Sequence, residues 1–543
     1  MQTHWYRSLL VLLALLQVAL ASTDGLLACL SQVQDLNIIS SNSSSYNSDR
    51  LSFNRRFNYQ PAAILYPSKI QDVQAGVQCG ASNGIPVVAR SGGHSYAAYG
   101  VGGQDGSLVI DLSKMTDLSL NNLTGEATAQ TGLKLGPLAQ GLWDQGRRAL
   151  PHGTCPYVGI GGHTAYGGIG LFSRKAGLLI DRAIRAEVVL ANGSVAIAAF
   201  DRNPDLYWAL RGAGPSFGIV TAWTYATLPA PDSIGYVLTL KPAPGNKDAL
   251  INAFNNFQKF ARDALPTWGM ALVIVPGGLN TLVFELSGNF YGSQGDFNTS
   301  IQPLLNSIPQ AKLTSQEFTW IEALADTAGS LSTSSPEPAD NFYAKSLMVQ
   351  DFVSNASIAS WVDYMYAQGT TNGLEVTWFV EVDVYGGEIA RASSNVTSYF
   401  NRDAFLGFQL YASAKKVTGP FPSSGLTLVN GMYDALKIDP EAAYPNYIDP
   451  TLSPDQWQNQ YYGSNYARLV EIKKAVDPQN VFRFPQSVGT SDSSLPNSTN
   501  TGPESSSPSA SPSATPVTGG SGRVTKLSFH MALLAALSFI FGL

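Results

Sequence analysis

Charge is scarce in this chain. Only 13% of its 543 residues are charged, and 33 Lys and Arg stand against 39 Asp and Glu, for a net charge of −6. The long basic runs that would neutralise a phosphate backbone are missing, which argues against a nucleic-acid partner. Cysteine and histidine are scarcer still, at three and five residues. No C-x-x-C or H-x-x-x-H pair occurs, so no metal site of zinc-like spacing is expected. No G-x-S-x-G elbow occurs, which argues against a Ser-His-Asp hydrolase. Glycine, by contrast, is abundant at 51 residues, and 44% of the chain is hydrophobic. A sizeable core can therefore form beneath many loops. At about 100–200 residues per domain, the length implies two or three domains.

Both ends read as processing signals. Arg7 precedes an apolar run over 9–20, and Ala19-Leu20-Ala21 has the form of a leader-peptidase site. The run is short for a membrane span, so residues 1–21 are expected to be a signal peptide. From 487 to 522 the chain turns to Ser, Thr, Pro and Gly, a flexible stalk. Residues 523–543 then give a short basic spacer and an apolar tail interrupted by Ser528 and His530. Small residues, spacer and tail form a GPI-attachment signal; a transmembrane helix is the rival reading. Sequons at Asn42, Asn122, Asn192, Asn298, Asn355, Asn395 and Asn497 fit an exported, glycosylated protein.

Between these ends the texture changes once. Ser68-Lys69-Ile70-Gln71, after Pro67, has the S-x-x-Q form of a capping box and predicts a helix to about Ser82. Strands are expected at 85–89 and 108–110, with more αβ alternation through 181–190 and a helix at 205–210. From about Ser233, strands such as 235–240 and 282–291 alternate with long helical stretches. This predicts a second α/β domain on a larger, antiparallel sheet ending in strands 375–384 and 405–411. Residues 444–485 match neither texture and are read as a return to the first domain.

Two loops carry the chemistry. The first is Arg90-Ser91-Gly92-Gly93-His94-Ser95-Tyr96, directly after a predicted strand. Paired glycines admit close backbone approach to a ligand, although a plain turn would read the same way. The second runs from His152 through Cys155-Pro156-Tyr157-Val158-Gly159-Ile160-Gly161-Gly162-His163 to Gly170. It is either a structural glycine loop or a surface against something flat or phosphate-bearing. Cysteine arithmetic bears on the choice. An exported protein pairs its cysteines, and Cys29 with Cys79 is the expected disulfide. Cys155 is then left over inside the glycine-rich loop.

R-S-G-G-H-S-Y and C-P-x-V-G-I-G-G-H-T, about 60 residues apart, resemble the berberine-bridge-enzyme-like FAD-linked oxidases of the vanillyl-alcohol-oxidase superfamily. The resemblance extends to D-L-Y-W-A-L-R-G at 205–212, F-G-I-V-T at 217–221 and Y-P-N-Y-I-D at 444–449, and carbohydrate-oxidising fungal members look most similar. It implies an α+β fold: a two-part FAD-binding domain of PCMH/VAO type (22–232 and 441–486) with an inserted α/β substrate domain (233–440) built on a large antiparallel sheet. It implies FAD held by two covalent bonds, from His94 to the 8α-methyl carbon and from Cys155 to C6. Arg90, Ser91, Gly92, Gly93 and Ser95 would complete the pyrophosphate loop. Gly161, Gly162, Gly168 and Gly170 would pack on the cofactor, with Ile219 and Val220 beside it. Val158 would gate oxygen at the flavin. Tyr447 would be the catalytic tyrosine, Gln409 a polar strand residue facing the ring and Tyr96 a substrate-side residue. Some carbohydrate oxidases carry an acid two positions after that glutamine, where this chain has Tyr411.

The expected function is therefore an FAD-dependent oxidase. It would pass a hydride from an alcohol, a carbohydrate first, to FAD and yield H2O2 from O2. A non-sugar alcohol or amine of secondary metabolism is the alternative substrate, and a non-catalytic wall protein is the alternative of another class. The expected partners are the small-molecule substrate and O2, with membrane contact only through a GPI anchor.

Overall fold

The computed structural model describes residues 23–490, except 394 and 439–441. The expected leader, nearly all of the stalk and the expected GPI signal lie outside the described residues.

Four short strands form the first sheet: β1 (Asn37–Ser40), β2 (Ala63–Tyr66), β3 (Val87–Arg90) and β4 (Leu108–Asp111), in the order β1-β2-β4-β3. β4 is parallel to both β2 and β3, whereas β1 is antiparallel to β2. Parallel strands need a crossover, and the helix Ile70–Ser82 supplies one between β2 and β3. Its cap differs from the expected box. The helix starts two residues after Ser68, and Asp72 rather than Gln71 is the side chain that reaches back. Its carboxylate accepts from the Ser68 and Lys69 amides at 2.9 and 3.3 Å. The expected strand at 85–89 begins instead at Val87, because Pro86 has no N–H to give to the ladder. Cys79 on the helix is disulfide-bonded to Cys29, with Cα atoms 5.7 Å apart, and Cys155 is free.

A second sheet joins β5 (Leu118–Asn121), β6 (Glu126–Gln130), β8 (Ala183–Val189), β9 (Val195–Ala199) and β10 (Ile219–Ala226) in the antiparallel order β5-β6-β10-β8-β9. The two-residue strands β7 (Arg148–Ala149) and β11 (Leu228–Pro229) pair separately.

The third sheet has seven strands: β12 (Ser233–Leu240), β13 (Trp268–Gly278), β14 (Thr281–Phe290), β15 (Lys312–Phe318), β16 (Phe342–Val349), β17 (Val376–Val384) and β18 (Leu406–Ala414). Its order is β15-β12-β14-β13-β17-β18-β16, antiparallel throughout. One face is packed by the helices Lys247–Asp263, Asn355–Tyr364 and Ser423–Leu436, whose Phe254, Phe257, Trp361 and Val429 are fully buried against Leu272, Val380 and Phe408. The other face looks toward the first domain.

β17 shows how sequence sets the two faces. Val376, Trp378, Val380, Val382 and Val384 are buried, while Thr377, Phe379, Glu381 and Asp383 alternate on the opposite side. A period of two puts apolar side chains into the core and polar ones onto the other face.

After β18 and the helix that follows it, the chain goes back to the first domain. The helix Tyr466–Val476 packs on the helix Pro204–Ala213. Lys473 is buried there and donates to Ser216 O, Phe482 O and the Asp477 carboxylate at 2.6–2.8 Å. The Val87 amide at the start of β3 donates to Val481 O at 3.0 Å.

Candidate active site

The His94 and Cys155 loops meet backbone to backbone. A Cβ at Gly92 would stand 2.3 Å from Gly159 N, and one at Gly159 would stand 2.1 Å from Gly92 N. No side chain fits at either place, and this is why both loops carry glycine there. Ser91 Oγ reinforces the junction: it donates to Thr131 O and accepts the Gly161 amide at 3.2 Å. Gly93 has φ +77°, which turns the chain so that His94 follows.

The outcome is convergence of residues 61 positions apart. His94 Nε2 is 2.6 Å from a Glu337 carboxylate oxygen, and the other oxygen of Glu337 is 3.8 Å from Cys155 Sγ. Phe53 stacks on the His94 ring with centroids 4.3 Å apart. Burial and the Glu337 carboxylate push the Cys155 thiol up to about 12.

A cavity of about 870 Å³ opens from this point. It passes between the glycine loops and the polar face of the third sheet. Of the expected site residues, Arg90, Ser91, Gly92, Gly93, His94, Ser95, Tyr96, Cys155, Val158, Gly161, Gly162, Gly170, Val220, Gln409 and Tyr447 line it. Gly168 and Ile219 stand behind the wall. Gly168 is packed against Leu179 and His163, and Ile219 is buried in the core under the first sheet. The Arg90 side chain is held by the Asp111 carboxylate, Asp49 O at 2.6 Å and Tyr66 Oη at 3.2 Å. Its charge is thus spent on the scaffold of the loop. Ser95 Oγ likewise accepts the Tyr99 amide at 3.0 Å.

His163 is a structural member of the wall. Its Nε2 accepts the Gly153 amide at 2.9 Å, and burial lowers it to about 3, so it stays neutral. His152 is also buried and pairs with Gly153 O at 2.7 Å.

Tyr447 enters the cavity from the returning segment. Its loop is pinned by an ion pair between Lys345 and Asp449 at 2.7 Å. Its ring stacks on Tyr96, with centroids 5.4 Å apart, and its phenol lies beside Asp383 in the same cavity. Burial, then the Asp383 and Glu381 carboxylates, holds the phenol well above its ordinary range. Tyr96 Oη in turn accepts from Gln409 Nε2. Tyr444 is fully integrated rather than a turn residue beside Pro445. Its oxygen accepts the Gly168 and Ile169 amides and Asn446 Nδ2 at 3.0, 3.1 and 2.8 Å.

Six carboxylates in the cavity were not among the expected site residues: Glu285 on β14, Asp326, Glu337, Asp340, and Glu381 and Asp383 on β17. The acid sought two places after Gln409 is Tyr411 in sequence, but Asp383 on the neighbouring strand occupies the side of Tyr447 instead. Burial raises Glu285 and Glu381 to about 7 and Asp383 well above the usual carboxylate range, the last helped by Glu381. The signal for the β17 pair was present as V-E-V-D-V, acids at alternate positions of a hydrophobic strand. No spacing signal could have joined Glu337 to His94 across 243 positions.

A flat, extended cofactor fits these residues. A Cβ at Gly162 would meet nothing within 4 Å, so that stretch of wall is open for close approach. Two nucleophilic side chains reach one end of the cleft, with their ligand atoms and those of Glu337 all within 4.8 Å of one another.

Known proteins agree. A model described as an FAD binding domain matches residues 61–198, and one described as berberine and berberine like matches 443–489. A chitooligosaccharide oxidase of Gibberella zeae is 34% identical over 474 residues, 85% of this chain and 94% of that protein. A xylooligosaccharide oxidase of Thermothelomyces thermophilus is 35% identical over 463 residues, 82% and 91% of the two chains. A glucooligosaccharide oxidase structure from Acremonium strictum superposes with TM-score 0.79 at 33% identity, over 86% of this chain and 99% of that one. That structure is described as holding a 6-S-cysteinyl, 8α-N1-histidyl FAD. This chain accordingly belongs to the berberine-bridge-enzyme-like family of FAD-linked oxidoreductases.

Proposed function

We propose that the chain oxidises a carbohydrate alcohol, with FAD attached to His94 and Cys155 and with Tyr447 as the base. The observation that carries this reading is the placement of Tyr447 beside Asp383 in the cavity that also receives His94 and Cys155. The cofactor supplies the hydride acceptor and lets O2 leave as H2O2. The protein's part is proton transfer and orientation. A phenol held above its ordinary range does not ionise by itself near neutrality. It can take the substrate hydroxyl proton as its own passes to Asp383, provided that carboxyl is ionised. Gln409, held on Tyr96, fixes the stacked partner of Tyr447. Glu285, Ser287 and Asn289 on β14 present hydrogen-bonding groups to a polyol, and Phe379, backed by the stacked Tyr411, offers a ring.

The test is a peroxide-coupled screen of chito-, xylo- and glucooligosaccharides, with anaerobic flavin reduction as the second readout. Failure of all of them to reduce the flavin would remove the sugar. One feature favours an alternative substrate. Among the cavity-lining residues Arg90 is the sole Lys or Arg, and Asp111 holds it, while six carboxylates line the same cavity. A protonated amine would suit that field, so amino sugars and amines belong in the same screen.

We also infer export. Support comes from the leader-like start and from Asn42, Asn122, Asn192, Asn298, Asn355 and Asn395, all exposed. Among the described residues no helix is long and apolar enough to cross a membrane. The Ser/Pro stalk and terminal tail support a GPI anchor.

A further inference from the structure

We propose that Glu337 is the proton acceptor for attachment of the flavin, serving His94 with one carboxylate oxygen and Cys155 with the other. This rests on the reading of these two residues as the attachment points. Its basis is position: Oε2 lies 2.6 Å from His94 Nε2 and Oε1 lies 3.8 Å from Cys155 Sγ.

The contact with Nε2 decides the tautomer. A carboxylate accepts, so the imidazole keeps its proton on Nε2 and presents a lone pair at Nδ1. Nδ1 makes no hydrogen bond to any described residue, and Phe53 stacked on the ring fixes where it points. When Nδ1 forms its bond, the Nε2 proton has an acceptor in place. Cys155 needs one as well. Its thiol, pushed up to about 12, supplies almost no thiolate near neutrality. A base within reach can take the proton as the sulfur bonds.

Each attachment is a two-electron oxidation. One hydrogen leaves the protein atom, Sγ or the imidazole, and one leaves the flavin carbon. O2 takes both, with two electrons, as H2O2. Glu337 carries the protein's proton to solvent and is free for the second bond.

Glu337 is held for this task by its segment. Tyr157 Oη, from the Cys155 loop, donates to Ser335 O at 3.1 Å. Asp340 N donates to Phe53 O at 3.1 Å, and the Asp340 carboxylate accepts from Tyr411 and Ser413. The segment that carries the carboxylate is thus tied to the Cys155 loop and to Phe53, which stacks on His94.

The experiment uses full-length chain from riboflavin-starved cells, given FAD in air with a chelator present. Flavin surviving acid precipitation is followed over time, and cross-linked His94 and Cys155 peptides are mapped by mass spectrometry. Glu337→Gln is expected to slow acid-stable attachment by roughly 10²-fold, the lower range for a positioned base. Reversible FAD binding, read by fluorescence quenching, should be unchanged, and Glu337→Asp should recover part of the rate. Attachment by Glu337→Gln at the unmutated rate would overturn the proposal. So would loss of reversible FAD binding in that variant, which marks a merely structural role. Two bonds persisting in His94→Ala or Cys155→Ala would instead sink the attachment reading, and this inference with it.

Discussion

Two tyrosines three residues apart do different work, and removing one oxygen separates them. Tyr447 has its phenol beside Asp383 in the cavity, so Tyr447→Phe should leave the fold intact and lower kcat by roughly 10²–10⁴. Near-normal flavin reduction would move the base elsewhere, Tyr96 first. Tyr444→Phe, mild if Tyr444 were a turn residue, should act on stability instead. It strips the two buried amides of Gly168 and Ile169, and the half-buried Asn446 Nδ2, of an acceptor, and an unsatisfied buried donor costs about 1–3 kcal/mol. A thermal melt should show a clear drop for Tyr444→Phe and almost none for Tyr447→Phe. Val158 gives a third test at this scale. It lines the cavity three residues after Cys155, and a bulkier side chain there should obstruct oxygen. Val158→Leu should therefore slow reoxidation by O2 while reduction by substrate is unchanged; equal reoxidation rates would discard the gate. His94 and Cys155 stood out because scarce residue types sat in glycine-dense motifs, whereas Tyr96 and Tyr447 were named only through the resemblance. Glu337 was not legible, since only the folded chain brings its loop across His94 and Cys155.

Elements explain where legibility stopped. The helix at 70–82 and four of the seven strands of the third sheet could be read from the sequence, but the register that pairs Glu381 with Gln409 could not. Pairing of β17 with β13 and β18 is a tertiary choice that no local signal announces. One consequence is a pH dependence of stability. The Glu381 carboxyl is ordinary at 4.5 in an unfolded chain and is raised to about 7 in the folded one by burial. Between those values the folded state holds a proton that the unfolded state has released. Stability from this group is therefore full below about pH 4.5 and is lost as pH rises to 7. Glu381→Gln removes the effect, so the Tm of the variant minus that of the unmutated chain should climb across this window and level off above it. Parallel Tm curves would show that Glu381 ionises freely in the fold. The glycine contact gives another element-scale test. Gly159→Ala would drive a Cβ into Gly92 N, so the two loops must part. Covalent flavin should fall sharply even though His94 and Cys155 are both present. Full acid-stable colour in Gly159→Ala would mean that the loops tolerate the separation.

At the scale of the molecule, the cavity is made by two domains and closed by a third stretch of chain. The glycine loops come from the first domain, the acidic face from the seven-stranded sheet and Tyr447 from the returning segment. Buried Lys473 fastens the last part of that segment, and burial lowers it to about 8. The return at 444–485 was expected from its mismatch with both textures, yet without the Y-P-N-Y resemblance nothing pointed to Tyr447 as the side chain that enters the cavity from there. The same scale governs where the enzyme works. Past residue 490 the composition turns to Ser, Thr, Pro and Gly. A stalk of this kind holds a folded head away from a surface, and the tail at 523–543 has the form of a signal exchanged for a lipid. If that exchange occurs, mature protein should sit in the membrane fraction and move to the supernatant after phosphatidylinositol-specific phospholipase C. Its C-terminal peptide should end among Gly519 to Gly522. A glycosidase that removes N-linked chains should lower its mass, because the described sequons are all exposed. Recovery of the tail through Leu543 from mature protein would exclude the lipid exchange and leave a transmembrane tail as the reading to pursue.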